Sequence, residues 1–404
     1  MLYSLHELQR SWAASVASVA GSTAELLRGH DLLPARMMRA GAALLHRITK
    51  PYPRPSFGLT ALAAHGRTVT VAQEVLAVHP FCRLVRFVRS SDDAATRAAL
   101  AADPRVLVCA PLSGHHPTLL RDTVATLLQD HDVYLTDWID AREVPVAAGV
   151  FHLDDYVAQI EGFLRRLGPD LHVVSVCQPT VPVLGAIALM AAAGEPTPRT
   201  LTLMGGPIDA RESPTVVNRV ATDHPIEVFE ARMIHRVPAG YPGAGRRVYP
   251  GFLQLAAFVM MNPSRHAEAY QSYWLDQLRG DAEATAVHER FYDEYNAVLD
   301  MDAAYYLDTV KTVFQDFALA RGTWDVRGVR VRPEAITSTA LLTIEGSLDD
   351  ISGLGQTAAA HRLCSGIAEH RSLVSECGHY GLFSGQRWRT AIYPELRAFI
   401  GAHA

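Results

Sequence analysis

No window of this sequence approaches the roughly 18 consecutive apolar residues of a membrane-spanning helix, so none is expected. Excess positive charge is also missing. The 37 Lys and Arg against 42 Asp and Glu leave a net charge of −5, which offers no basic face to nucleic acid. Cysteine is scarce. Cys82, Cys109, Cys177, Cys364 and Cys377 form an odd set without C-x-x-C spacing, which argues against a disulfide framework or a zinc site and reads as reduced thiols in a cytoplasm. The opening Met1-Leu-Tyr-Ser-Leu-His-Glu-Leu-Gln-Arg10 mixes acid and base with its apolar residues and lacks the layout of a secretory signal. There are no internal repeats and no low-complexity runs. What is present is ordinary globular composition: 404 residues, 49% hydrophobic and 20% charged, enough for one elaborated α/β domain or two domains.

Along the chain, residues 1–50 read as helices, with Leu2, Leu5, Leu8 and Trp12 at helical spacing. A leading amphipathic helix of this kind packs on its own domain in most proteins; docking to a hydrophobic surface or a second subunit is the sharper alternative. Pro51-Tyr-Pro-Arg-Pro55 then makes an extended break. From 65 to 210 strand and helix patterns alternate. Expected strands are Thr68–Ala72, Cys82–Val88, Val106–Ala110, Val133–Asp137, Leu171–Val176 and Thr200–Met204; expected helices are Thr118–Asp130 and Leu153–Leu167. Such alternation predicts a mostly parallel, doubly wound sheet. It stops over 211–335, where aromatics and turn signals prevail and His266–Leu278 and Ala303–Ala320 read as helices. It returns with strands Ala340–Ile344 and His370–Ser375 and a last helix, Arg387–Gly401. The expected organisation is a helical segment 1–55, a core 56–210, an insertion 211–335 that forms a mainly helical cap, and the remainder of the core, 336–404.

The stretch Leu171-His-Val-Val-Ser-Val-Cys177-Gln-Pro-Thr180 joins a β-branched strand to an Ala- and Leu-rich helix. A nucleophile at the tip of such a turn is the nucleophile elbow of α/β-hydrolases, and the helix N-terminus behind it favours negative charge. Thiolate is the reactive form of cysteine. The usual G-x-S-x-G flanks are replaced by Ser175 and Pro179; Pro179 falls in the first turn of the helix, where a missing N–H costs nothing. The simpler alternative is that Cys177 is a buried core cysteine.

A nucleophile in acyl transfer needs a base and an acid that orients it, and in this fold they follow in the order nucleophile, acid, histidine. Asp349 and Asp350 lie in the loop after a late strand. His379, between Gly378 and Gly381, follows the last strand. Pro111-Leu-Ser-Gly-His-His-Pro117 follows an early strand, where the oxyanion hole is normally built. The backbone N–H groups of Leu112 and Ser113, with that of Gln178, are the candidate donors. His115 and His116 in that loop have the alternative of being merely polar. Ser113, Ser175 and Cys377 are alternative nucleophiles, and Cys377 sits too close to its own base.

With these pieces assembled, the sequence resembles the intracellular polyhydroxyalkanoate (poly(3-hydroxybutyrate)) depolymerases, α/β-hydrolases related to polyhydroxyalkanoate synthases. The resemblance spans essentially the whole chain. It rests on Met1–Arg10, Ala110–Pro117, Tyr134-Leu-Thr-Asp-Trp-Ile-Asp-Ala-Arg142, Ser175–Val183, Met204-Gly-Gly-Pro-Ile-Asp-Ala-Arg211, Phe291–Leu299, Leu348–Ser352 and Cys377–Gly381. It implies an α/β-hydrolase with a cap, a Cys177–His379–Asp349 triad with Asp350 as the alternative acid, and no cofactor or metal. It further implies hydrolysis of amorphous poly(3-hydroxybutyrate) through an acyl-thioester enzyme, at the surface of cytoplasmic granules. Coenzyme A in place of water, a polymer synthase using the same residues, and a non-catalytic granule-coating protein are the competing functions. Neither nucleic acid nor a membrane is an implied partner; oligomerisation and contact with other granule proteins stay open. A polymer chain cannot enter a sealed cavity, so the cap is expected to open or leave a channel. Its aromatics Tyr241, Tyr249, Phe252, Phe258, Tyr270, Tyr273, Trp274, Tyr292, Tyr305 and Tyr306 would line that channel, touch the granule, or form the cap's own core.

Overall fold

The computed structural model describes residues 2–26 and 32–404. Met1 and 27–31, which the helical expectation for 1–50 also covers, lie outside them. Nine strands form one sheet. They are β1 (Ala61–Ala64), β2 (Arg67–Val78), β3 (Cys82–Ser90), β4 (Arg105–Cys109), β5 (Asp132–Trp138), β6 (His172–Val176), β7 (Thr200–Met204), β8 (Ala340–Gly346) and β9 (His370–Ser375). Their order is β1-β2-β3-β5-β4-β6-β7-β8-β9. The first four are antiparallel neighbours, and every pair from β5 to β9 is parallel. Residues of β4, β5, β6, β7 and β8 are buried throughout or nearly so, which explains their continuous apolar runs: helices cover both faces.

The helices follow their sequence signals. Leu153–Leu167 buries Leu153, Tyr156, Val157, Ile160, Phe163, Leu164 and Leu167 on one face, with Asp154 and Asp155 in its first turn and Arg165 and Arg166 in its last, a charge order that suits the helix dipole. Thr180–Ala192, behind β6, is apolar all round because it is buried all round.

Four differences from the sequence reading have local causes. Strand β1 was not expected, since Ala-Leu-Ala-Ala carries no β signal; it pairs with β2 through His65-Gly66, both at positive φ (49° and 71°), as a two-residue hairpin loop demands. The expected helix at Thr118–Asp130 starts as a 3₁₀ turn, Pro117–Leu120, and is α-helical only over Arg121–Leu127. The expected Ala303–Ala320 helix is α only over Ala303–Thr309. It widens into a π turn, Val310–Gln315, and stops at Phe317, whose φ is 51°. The final helix contains a π turn at Trp388–Ile392 immediately before Pro394; proline cannot donate the hydrogen bond that a regular turn needs there.

Between β7 and β8 lie, among the described residues, six α-helices and five short strands, three in a small sheet of their own and two in a hairpin. This insertion reaches the ends of β4 and β6: the Leu299 N–H donates to the Gly114 carbonyl at 2.7 Å, and Tyr305 bonds Gln178. The two leading helices, Leu2–Leu26 and Leu33–Thr49, dock on the insertion. The Tyr3 hydroxyl donates to Asp300 at 2.7 Å, His6 stacks on Phe252 at 3.9 Å, and Arg47 pairs with Asp293 at 2.6 Å. Further along, Leu8 (70%), Trp12 (72%) and Val19 (69%) remain exposed.

Candidate active site

Strand β6 keeps its ladder up to the turn: the Cys177 N–H donates to the Met204 carbonyl at 2.7 Å. The chain then reverses, and Cys177 itself takes φ 68°, a conformation that costs a non-glycine residue about 1 kcal/mol or more. Thr180 secures the turn by donating both its N–H (3.1 Å) and its hydroxyl (2.9 Å) to the Cys177 carbonyl. Clearance comes from the neighbouring strand. A Cβ on Gly206 would sit 1.8 Å from Thr180 Oγ1 and 2.6 Å from the Cys177 oxygen, so only glycine lets β7 pass this close. The turn thus forms without glycine at 175 or 179.

Loops after β8 and β9 converge on the same point. His379 Nδ1 lies 2.7 Å from Asp349 Oδ2, and both side chains are almost wholly buried. The other carboxylate oxygen, Oδ1, accepts the N–H groups of Ile351 and Ser352, each at 2.9 Å. Buried Glu345 ties down the same loop by accepting from Gly355, Thr357 and Ala358. With Nδ1 committed to Asp349, Nε2 is the ring nitrogen left for the Cys177 sulfur, whose charge acts on the ring. Burial acts to lower the His379 pKa, but the Cys177 charge, the hydrogen bond to Asp349 and the Asp349 charge outweigh it and hold the pKa well above its ordinary value. Asp349 and His379 are hydrogen-bonded, and Cys177 acts electrostatically on the same ring. This arrangement can move a proton between sulfur and imidazole while the carboxylate fixes the ring.

The alternatives are placed elsewhere. Asp350 is exposed and makes no hydrogen bond or ion pair among the described residues. The Ser175 hydroxyl is fully buried in β6 and has no hydrogen-bond partner among the described residues. Burial pushes the Cys377 thiol up, which disfavours thiolate.

Of the three backbone donors, the Leu112 N–H is engaged by Gln178 Oε1 at 3.4 Å, whereas those of Gln178 and Ser113 meet no protein acceptor among the described residues. The Gln178 amide also donates to the Tyr305 hydroxyl. Tyr305, one of the aromatics of the insertion, carries no sequence signal that ties it to Gln178. Burial lowers the pKa values of His115 and His116 to about 4 and about 3. His115 stacks on Phe258 and reaches the Tyr295 carbonyl at 3.1 Å, so it fastens this loop to the insertion. Of the ten cap aromatics, Tyr249, Tyr273, Tyr292 and Tyr305 are buried and the other six half-buried; they mostly form the insertion's own core. Among the described residues no helix is long and apolar enough to cross a membrane, and all five cysteines are free thiols.

The strand order, the elbow and the loops that meet beneath it define an α/β-hydrolase with an ester-hydrolase architecture. More particularly, residues 205–404 match the family model described as "PHB de-polymerase C-terminus", and over this half the chain belongs to the PHB depolymerase family. No curated protein matches the chain. Similar solved structures include a protein assigned as a lipase from Acinetobacter baumannii AYE (11% identity, 83% of this chain and 93% of that one, TM-score 0.46). Another is the 2-hydroxy-6-oxo-6-phenylhexa-2,4-dienoate hydrolase of Rhodococcus sp. strain RHA1 (12%, 82% and 98%, 0.44). A third is a thermophilic esterase from Thermogutta terrifontis (14%, 86% and 98%, 0.41).

Proposed function

We propose that this protein hydrolyses ester bonds of poly(3-hydroxybutyrate), with Cys177 as nucleophile, His379 as base and then acid, and Asp349 as the group that orients it. The observation that carries the reading is the buried Asp349–His379 hydrogen bond, with the charge of the strained Cys177 acting on the imidazole. In the reaction His379 takes the thiol proton, and sulfur attacks the ester carbonyl. The N–H groups of Gln178 and Ser113 hold the oxyanion. The departing alkoxide receives the proton from His379, leaving an acyl-thioester. Water, deprotonated by His379, then releases the hydroxyacid and regenerates the thiol.

Residues 211–335 act as the cap, 1–55 as a helical arm upon it, and 56–210 with 336–404 as the hydrolase core. The polymer is apolar and insoluble. The exposed stripe Leu8, Trp12 and Val19 gives the arm an uncharged face for the granule surface.

The test is clearing of protein-free amorphous granules, with the soluble product identified. Wild type should clear them and release 3-hydroxybutyrate or its oligomers without added coenzyme A. Cys177→Ala should still bind the granules and clear none; clearing by that variant contradicts the assignment. Release of free coenzyme A from 3-hydroxybutyryl-CoA would instead indicate a synthase.

A further inference from the structure

Helices Pro263–Arg279 and Ala282–Tyr295 of the insertion enclose a groove of about 640 Å³ with one charged pole of each sign. Arg265 stands at one end. Asp276, Asp281 and Glu283 stand at the other, some 11 residues or roughly 16 Å along the helix. Arg265 is exposed and makes no hydrogen bond or ion pair among the described residues.

An aromatic series leads from the Arg265 end to the catalytic histidine. Phe291 lines the groove and stacks on Tyr295 at 5.5 Å; Tyr295 meets Tyr380 at 6.4 Å; Tyr380 stands edge-on to His379 at 6.0 Å. The Arg265 charge reaches both tyrosines: burial raises their hydroxyl pKa values, Asp350 adds to the rise in each and Arg265 opposes it.

A polyester of a hydroxyacid has a single anionic group, the carboxylate at one chain end. We infer that Arg265 binds this terminal carboxylate, so that the site holds the carboxylate-ended segment of a short chain as the leaving group. Resting on the hydrolase reading above, this makes Arg265 a specificity residue for free-acid oligomers. Sulfur bonds to the ester carbonyl, the ester C–O bond breaks, and His379 protonates the alkoxide. The released hydroxyacid keeps its carboxylate on Arg265. The acidic pole repels the same group and fixes its direction.

The experiment compares the linear trimer of 3-hydroxybutyrate with its carboxyl-terminal methylamide, which has the same esters and no anion. Wild type should prefer the free acid. Arg265→Gln should raise KM for the free acid about tenfold or more, leave the methylamide within about twofold, and weaken inhibition by free 3-hydroxybutyrate; Arg265→Lys should recover part of the loss. Equal effects on both trimers, or none on either, overturn the inference while leaving the hydrolase intact. Wild type that cleaves neither trimer contradicts the hydrolase reading and the inference with it.

Discussion

The Cys177 carbonyl oxygen and the α-carbon of Gly206 are so close that a Cβ on the glycine would lie 2.6 Å from that oxygen and 1.8 Å from Thr180 Oγ1. The end of β7 is a wall of the elbow. Gly206→Ala should destabilise the protein by about 1–3 kcal/mol, the usual cost of overpacking, and lower kcat by displacing Cys177. Gly162→Ala, in the open face of helix Leu153–Leu167, should gain up to about 1 kcal/mol instead. Urea denaturation of the two variants checks the contrast; equal effects contradict it.

The two neighbouring aspartates separate cleanly in geometry. Asp349→Asn keeps the shape but cannot accept the Nδ1 proton in the required tautomer, so kcat should fall on the order of 10³–10⁴-fold. Asp350→Asn should stay within about threefold, since Asp350 makes no hydrogen bond to the imidazole. Initial rates on soluble oligomers decide the point.

His379 carries a pH signature. Its pKa is raised in the folded protein despite burial, first by the Cys177 charge. A raised pKa contributes stability that is complete below the unfolded value of about 6.5 and is lost as pH rises through the folded value. Wild type should therefore lose stability relative to His379→Gln as pH increases from 6 upward. The Cys177→Ala variant, without the sulfur charge, should show a lower His379 pKa by NMR titration of the imidazole. An unchanged pKa in that variant would remove Cys177 from contact with the ring.

The layout of the candidate site was legible in the chain, because each part follows a strand that the sequence announces. Val-Val-Ser-Val before Cys177, Leu-Leu-Thr-Ile before the Asp349 loop and the strand before His379 place the three groups in order along one sheet edge. What was hidden depends on contacts distant in sequence. No local signal shows that Gly206 supplies the clearance missing at Ser175 and Pro179, or that Gln178 Oε1 occupies the Leu112 N–H. Nor does any show that Tyr305 holds the Gln178 amide from the insertion. The helix stopping at Phe317 and the π turn before Pro394 escaped the apolar period for another reason: a single widened turn is too short to change a period read over a whole helix.

The leading helix gives a separable prediction. Leu8→Ser with Trp12→Ser should reduce cosedimentation with granules at least fivefold while leaving soluble-oligomer hydrolysis within about twofold, because both residues are exposed and remote in sequence from the triad. Loss of both activities together would mean that the arm supports the fold rather than the surface contact.

The most direct test of the whole account is to trap the acyl-enzyme. Wild-type protein mixed briefly with 3-hydroxybutyrate trimer, quenched in acid and digested, should carry a hydroxyacyl mass on the peptide containing Cys177. The adduct should be released by hydroxylamine, as a thioester is, and should be absent when His379 is replaced by Gln. The same mass on a peptide containing Ser113 or Cys377, or its appearance without His379, would contradict it.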